Sequence, residues 1–220
     1  MVNKKITSID DLSVKDITLI AEQAIKFQNS KKLNLVKKPR NIFNLFLEPS
    51  TRTTISFELA AKNLGHNLIN INFDKSSLSK GETFMDTMST IISMKPDALI
   101  IRDKNNFSPQ EISKNINIPV INAGDGTNEH PTQALLDYCV IKSIFKNKKI
   151  SIGICGDIKH SRVAHSNIKL LSKLGHKIHL IAPNYFLNKS EITKINPKIK
   201  FHKDLKNING IDILMMLRVQ

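Results

Sequence analysis

Strand-like and helix-like runs alternate along almost all of this 220-residue chain, and that alternation limits the folds open to it. Apolar runs rich in Ile, Leu and Val read as strands at Ile42 to Leu47, Leu68 to Phe73, Ala98 to Ile101, Pro119 to Asn122, Lys149 to Cys155, Lys177 to Ile181 and Ile211 to Leu217. Helical spacing reads at Val14 to Asn29, Thr51 to Leu64, Thr83 to Met94, Pro109 to Asn115, Pro131 to Phe145, Val163 to Leu174 and Ser190 to Ile195. Strand–helix–strand succession implies parallel sheets. Continuous apolar strands imply that helices cover both sheet faces. The expected class is α/β, with two parallel-sheet domains. The polar patch Lys146-Asn147-Lys148-Lys149 follows a long helix that opens at Pro131, and is the best boundary. This divides the chain into residues 1–131, a connecting helix at 132–147, and residues 148–220.

Composition removes several functions. No apolar run approaches the length of a membrane span, and the N-terminus lacks the apolar segment of a signal peptide. Cys139 and Cys155 are the two cysteines, both in apolar contexts, and read as reduced thiols of a cytoplasmic protein. No Cys/His cluster points to zinc, and no metal or other cofactor is expected. The net charge of +14 invites a nucleic-acid reading. Against it, the excess is scattered lysine and aromatics are only 5%, so no stacking platform is apparent. Arginine occurs only at Arg40, Arg52, Arg102, Arg162 and Arg218. In a chain this rich in Lys, Asn and Ile, a retained arginine is expected to do something geometric that lysine cannot.

The polar residues gather after the strands. Ser50-Thr51-Arg52-Thr53-Thr54 follows the first, between an apolar strand and a helix whose apolar face is Phe57, Ala60, Ala61 and Leu64. Free N–H groups and the positive end of the helix dipole face outward at such a helix start. Four hydroxyl and guanidinium groups there make a phosphate cradle. The plain alternative is an N-cap beside a surface arginine, which one Ser or Thr alone would favour. Arg102 follows the third strand, Asn122 to His130 the fourth, Gly156 to Arg162 the fifth, and Arg218 with Gln220 the last. Ligands of open α/β sheets bind outside the carboxyl ends of the strands. His130 and Gln133 lie three apart at a helix start, although a lone His there is more often a cap. Ser76 to Thr83 is a polar loop that by itself reads as solvated. Gly153 to Ser166 carries neither nucleotide-loop pattern, so NAD and ATP have no support.

Together these segments resemble the transcarbamylases, on the aspartate carbamoyltransferase side of that superfamily. Ser50-Thr51-Arg52-Thr53 and His130-Pro131-Thr132-Gln133 match its two signatures. Asn122-Ala123-Gly124-Asp125-Gly126 and Ser77-Leu78-Ser79-Lys80-Gly81-Glu82 look like the aspartate-using branch, and Met216 to Gln220 like the start of its acceptor loop. Thr54 stands where the first signature usually ends in arginine.

The resemblance implies carbamoyl transfer from carbamoyl phosphate to the α-amine of L-aspartate, the second step of de novo pyrimidine biosynthesis. In that picture residues 1–131 bind carbamoyl phosphate and 148–220 bind aspartate. Ser50, Thr51, Arg52 and Thr53 hold the phosphate. Arg102, His130 and Thr53 bond the carbonyl oxygen, and Gln133 orients the carbamoyl NH₂. Arg162 takes the α-carboxylate of aspartate, and Arg218 with Gln220 its side-chain carboxylate. Ser77 and Lys80 come from a neighbouring subunit of a homotrimer, with or without regulatory chains, and Lys80 also touches aspartate. No nucleic acid and no membrane take part. The rival readings are an ornithine carbamoyltransferase, a basic nucleic-acid-binding module, and a transcarbamylase that binds phosphate without efficient turnover. Family members continue beyond the position of Gln220, so the second domain is expected to be incomplete and turnover to suffer more than phosphate binding.

Overall fold

The computed structural model describes residues 5–30, 36–72, 84–206 and 208–218. Nine strands and seven α-helices are described: β1 (Lys5–Ile6), α1 (Val14–Asn29), β2 (Asn41–Phe46), α2 (Thr51–Leu64), β3 (Asn67–Asn72), α3 (Phe84–Ser93), β4 (Ala98–Asp103), α4 (Ser108–Lys114), β5 (Val120–Asp125), α5 (Pro131–Phe145), β6 (Ser151–Cys155), α6 (Arg162–Lys173), β7 (Lys177–Ile181), α7 (Lys189–Ile195), β8 (Lys200–His202) and β9 (Ile213–Met216). They form two sheets, one in the order β1-β5-β4-β2-β3 and one in the order β8-β7-β6-β9. Every strand pairing in both is parallel.

Local chemistry explains the helix limits. Ser13 caps α1 by accepting from Asp16 N, while the Asp16 carboxylate accepts from Ser13 N, so two otherwise orphaned amides are satisfied. α2 stops at Gly65, whose φ of 80° is the left-handed turn that ends helices. α5 opens at Pro131, where the missing N–H costs nothing.

Two apolar cores hold the layers. One joins Phe43, Leu45, Leu99 and Ile101 of the first sheet to Met88 and Ile91 of α3 and Ile112 of α4. The other runs from Ile9, Leu12, Ile17 and Ala21 through Ala134 and Tyr138 of α5 to Ile152, Ile154, Ile168 and Leu171 around the second sheet. The segment between β1 and β2 is thus packed with α5 and α6 into the second core. Burying one such aliphatic side chain contributes roughly 1.5–3 kcal/mol. Cys139 and Cys155 are half-buried free thiols.

Register decides what meets at the strand ends. Phe46 of β2 lies opposite Arg102 of β4, and Ile101 lies opposite Asn122 of β5. Leu47 N extends the ladder by donating to Arg102 O at 2.8 Å. In the second sheet Leu217 N donates to Cys155 O at 2.8 Å, which sets Arg218 beside the loop that leads to Arg162. No described helix is long and apolar enough to cross a membrane.

Candidate active site

Arg102 is the fifth residue of β4, just after the buried aliphatics Leu99, Ile100 and Ile101, so its guanidinium emerges where the sheet ends. Its Nη1 donates to Ala123 O of β5 at 3.0 Å, and its Nη2 pairs with Glu48 Oε1 at 2.7 Å. Arg162, the first residue of α6, donates its Nη2 to the same Glu48 oxygen at 2.7 Å. Two guanidinium groups, one from the first sheet and one from α6, therefore share one carboxylate oxygen. The side chains of Arg102, Arg162 and Glu48 are only 12%, 18% and 20% exposed. Burial first, and then the positive charge of Arg162, lower the Arg102 pKa, while Glu48 pushes it back up. An arginine so placed stays protonated at any ordinary pH.

One glycine makes this pairing possible. Gly124 has φ of +117°, and a Cβ there would meet Arg102 Nη1 at 3.0 Å and Arg162 Nη1 at 3.1 Å. A side chain would thus be strained by its backbone and would push both guanidinium groups aside. The loop behind it is fixed by Asp125, which is fully buried. Its Oδ1 accepts from Asn122 Nδ2 at 2.7 Å and Glu129 N at 3.1 Å, its Oδ2 from Phe107 N at 2.7 Å and Asn128 Nδ2 at 2.8 Å.

His130 ends that loop. It occupies the N-cap of α5 but makes no side-chain cap bond, so the ordinary reason for a His at a helix start does not apply. It is 8% exposed. Desolvation, then the charges of Arg102 and Arg162, hold its pKa at about 3, so the ring is neutral at physiological pH. Its Nδ1 lies 3.3 Å from the Thr132 hydroxyl. With that hydroxyl donating, the ring proton is on Nε2, free for a ligand. The His130 backbone N–H donates to Ser166 Oγ of α6 at 2.8 Å. Glu129 is held by Ser8 Oγ at 2.6 Å, Ile9 N at 2.9 Å and Lys169 Nζ at 2.8 Å. Ser166 and Lys169, in the middle of α6, thereby tie that helix to the His130 loop.

The first turn of α2 faces the same sheet edge. Ser50 is its N-cap but spends its hydroxyl on Thr53 Oγ1 at 2.9 Å, so the hydroxyl leaves the helix-start amides open. Thr51 and Arg52 are exposed, and Arg52 makes no hydrogen bond or ion pair with a described residue. Gln133 donates to Asp137 Oδ1 at 2.9 Å, one turn into α5. Arg218 is exposed after β9. Ser77, Lys80 and Gln220 lie outside the described residues. Of the residues expected from the sequence, Arg102, His130 and Arg162 are brought into one cluster. Arg52 with its hydroxyls stands at the adjoining strand end, and Arg218 follows β9, the strand paired with β6.

The cluster is short of acceptors. Arg102 Nε and Arg162 Nη1 are buried without a partner. A cavity of about 580 Å³ opens beside them, walled by Glu48, Lys104, Asn105, Asn106, Gly126, Thr127 and Arg162. Unpartnered donors of two cations, one of which lines a polar cavity, suit an anionic ligand with carboxylate or phosphate oxygens. No group of three or more His, Cys, Asp or Glu that could hold a metal occurs among the described residues. Sequence reasoning gave no role to Glu48, Asp125 or Glu129. Glu48 was in view, two residues before the hydroxyl run, but nothing local says that it reaches both arginines.

Residues 4–143 match the family described as "Aspartate/ornithine carbamoyltransferase, carbamoyl-P binding domain". The chain belongs to the aspartate/ornithine carbamoyltransferase family. It is 45% identical over 225 residues to the aspartate carbamoyltransferase catalytic subunit of Pelagibacter ubique (strain HTCC1062), covering 99% of this chain and 70% of that protein. It is 43% identical over 221 residues to that of Wolbachia pipientis subsp. Culex pipiens, covering 99% and 73%. Aspartate transcarbamoylase of Trypanosoma cruzi superposes with a TM-score of 0.89 at 32% identity in its complex with carbamoyl aspartate and phosphate, covering 100% of this chain and 76% of that one. Its complex with carbamoyl phosphate and aspartate gives 0.88 at 31% identity. The two-sheet carbamoyltransferase fold expected from the sequence is the one observed.

Proposed function

We propose that the chain transfers the carbamoyl group of carbamoyl phosphate to the α-amine of L-aspartate, giving N-carbamoyl-L-aspartate and phosphate. The carrying observation is the Arg102–Glu48–Arg162 cluster, with buried donors of both arginines unspent beside His130. It suits a reaction between a phosphorylated carbonyl and a dicarboxylate.

In this reading Ser50, Thr51, Arg52 and Thr53 take the phosphate at the α2 start. Arg102, neutral His130 and Thr53 donate to the carbonyl oxygen, where negative charge develops as the amine nitrogen attacks the carbon. Collapse breaks the C–O bond to phosphate, and the proton lost by the amine leaves with the phosphate. Gln133 orients the carbamoyl NH₂. Arg162 binds the α-carboxylate of aspartate, and Arg218 with Gln220 the other. Residues 1–131 form the carbamoyl-phosphate domain, 132–147 the linking helix and 148–220 the aspartate domain. The chain supplies position and charge, so its work is orientation and oxyanion stabilisation.

The active unit in this proposal is a cytoplasmic homotrimer that takes Ser77 and Lys80 from the neighbouring subunit. An exposed apolar edge supports it: α2 packs along the edge strand β3, and Ile55, Leu59 and Ile69 are 47%, 53% and 45% exposed. Apolar groups grouped on an open strand edge ask for a cover.

The test is an acceptor assay with carbamoyl phosphate. Carbamoylation of aspartate, with ornithine inert at equal concentration, is the expected result. Ornithine carbamoylated as fast as aspartate would overturn the substrate assignment.

A further inference from the structure

A cavity of about 850 Å³ lies away from the arginine cluster. It sits between the C-terminal half of α6, the start of β7 and the α7–β8 turn. Arg162 opens α6 and Lys173 closes it, eleven residues later, which is roughly 16 Å along the helix axis. The cavity therefore belongs to the amino ends of the second sheet, not to the carboxyl ends where the arginines meet. Its volume falls in the range of small-ligand sites.

Its lining is rich in donors. Lys177 at the start of β7 and Lys198 and Lys200 at the α7–β8 turn line it, and their ammonium groups make no hydrogen bond or ion pair with a described residue. Asp10 is the only acidic residue in the wall, and it is already engaged by Lys169 at 2.7 Å and Lys173 at 3.5 Å. Two histidines complete the wall, each 8% exposed. His176 Nδ1 accepts from Ile150 N at 3.3 Å, which leaves its proton on Nε2. His179 Nδ1 stands 3.0 Å from His202 Nε2, its ring stacked on that of its neighbour.

A lysine-rich chain has lysines everywhere, and scattered ones need no ligand. Here three uncompensated ammonium groups converge on one concavity whose single carboxylate is already neutralised. No arginine takes part, in contrast with the cluster at the other end of α6. Planar arginine forks match carboxylates, whereas ammonium groups and an imidazole N–H act as point donors suited to tetrahedral phosphate. Several ammonium groups on one concavity favour a ligand with more than one anionic group.

We propose that this groove is a second anion site that binds a small molecule carrying two or more phosphate groups. It is independent of the carbamoyl-transfer reading, since none of its residues takes part in that chemistry.

Calorimetric titration with tripolyphosphate at fixed ionic strength tests it on three proteins: the unaltered chain, Lys177→Ala/Lys200→Ala, and Lys15→Ala/Lys26→Ala as an equal-charge control on exposed α1 positions. The expected result is at least a tenfold weaker affinity in the groove variant and an unchanged affinity in the control. Imidazole resonances of His176 and His179 in the unaltered chain should shift on titration, which keeps the test valid if a variant folds poorly. Equal losses in both variants would mean diffuse electrostatics and overturn the proposal. So would binding that leaves both imidazoles unmoved, or a single-stranded RNA oligonucleotide that binds more tightly than tripolyphosphate.

Discussion

Arg102 of β4 and Arg162 at the start of α6 meet on one oxygen of Glu48, each 2.7 Å from it. A single carboxylate between two guanidinium groups leaves a local charge of +1, with Arg102 Nε and Arg162 Nη1 buried and unpartnered. Glu48 also fixes the first sheet to α6.

Replacing Glu48 by Gln is expected to separate these effects. The arginines keep a hydrogen-bond acceptor but lose their counter-charge. Removing one partner of a partly buried pair costs less than the 3–5 kcal/mol of a fully buried one, so about 2 kcal/mol is expected. For a chain of this size that lowers Tm by roughly 4–8 °C. Added phosphate should restore more of the loss than it gives the unaltered chain, because an anion then supplies the missing charge. Differential scanning calorimetry with and without phosphate reads both numbers. An unchanged Tm would show that the bridge carries no stability.

Arg52 gives a second expectation. It is exposed, without a described partner, in the first turn of a helix whose amides the cap side chain leaves open. Arg52→Ala should cost at least tenfold in phosphate affinity by calorimetry while changing Tm by less than a degree or two without ligand, since an unpaired surface side chain contributes little to the fold. Equal affinity in the variant would remove the α2 start from the site.

How much of this was legible in the chain differs by level. α1, α2, α5 and β7 fall where spacing sets them, because each has a strong signal of its own: a capped amphipathic run, a proline opening, or a continuous apolar strand. β1 and β8 did not stand out, being two and three residues long and strands only through their neighbours. Arg102, His130 and Arg162 were accessible through the rule that function gathers at the carboxyl ends of parallel strands. Glu48 as their common acceptor was not, because it depends on the Phe46–Arg102 register and on the approach of α6 to the first sheet. The role of Asp125 was hidden for the same reason: four donors from four positions converge on it only after folding.

Gly124 tests whether the arginine pair needs open space. Gly124→Ala places a methyl 3.0 Å from Arg102 Nη1 on a backbone of φ +117°. Strain of this kind costs about 1–3 kcal/mol. The displaced guanidinium groups should cost more in catalysis, about 10²-fold in kcat/KM for an error near 1 Å. The acceptor assay and a urea melt on the same protein compare the two. A variant that is destabilised yet fully active would show that the arginines tolerate displacement.

His130 yields the sharpest pH expectation. Its folded pKa of about 3 lies below the ordinary value of 6.5, through burial and the two neighbouring arginines. Between those values the unfolded chain takes up a proton that the folded chain refuses. Stability is then whole above pH 6.5 and falls as pH falls from 6.5 toward 3, at up to about 1.4 kcal/mol per pH unit for this one group. His176 and His179, also lowered by burial, add to the fall in the same direction. The ring stays neutral in the folded protein throughout, so the acid limb of any rate profile above pH 5 should belong to another group, such as the amine nucleophile. His130→Asn keeps a side-chain donor at the position and should lose less than the roughly 10²–10³-fold expected when His130→Ala removes it. Imidazole NMR at pH 5 decides the protonation state directly. A His130 ring that titrates near 6.5 would mean that it is neither desolvated nor facing the arginines, and would remove it from the carbonyl oxygen.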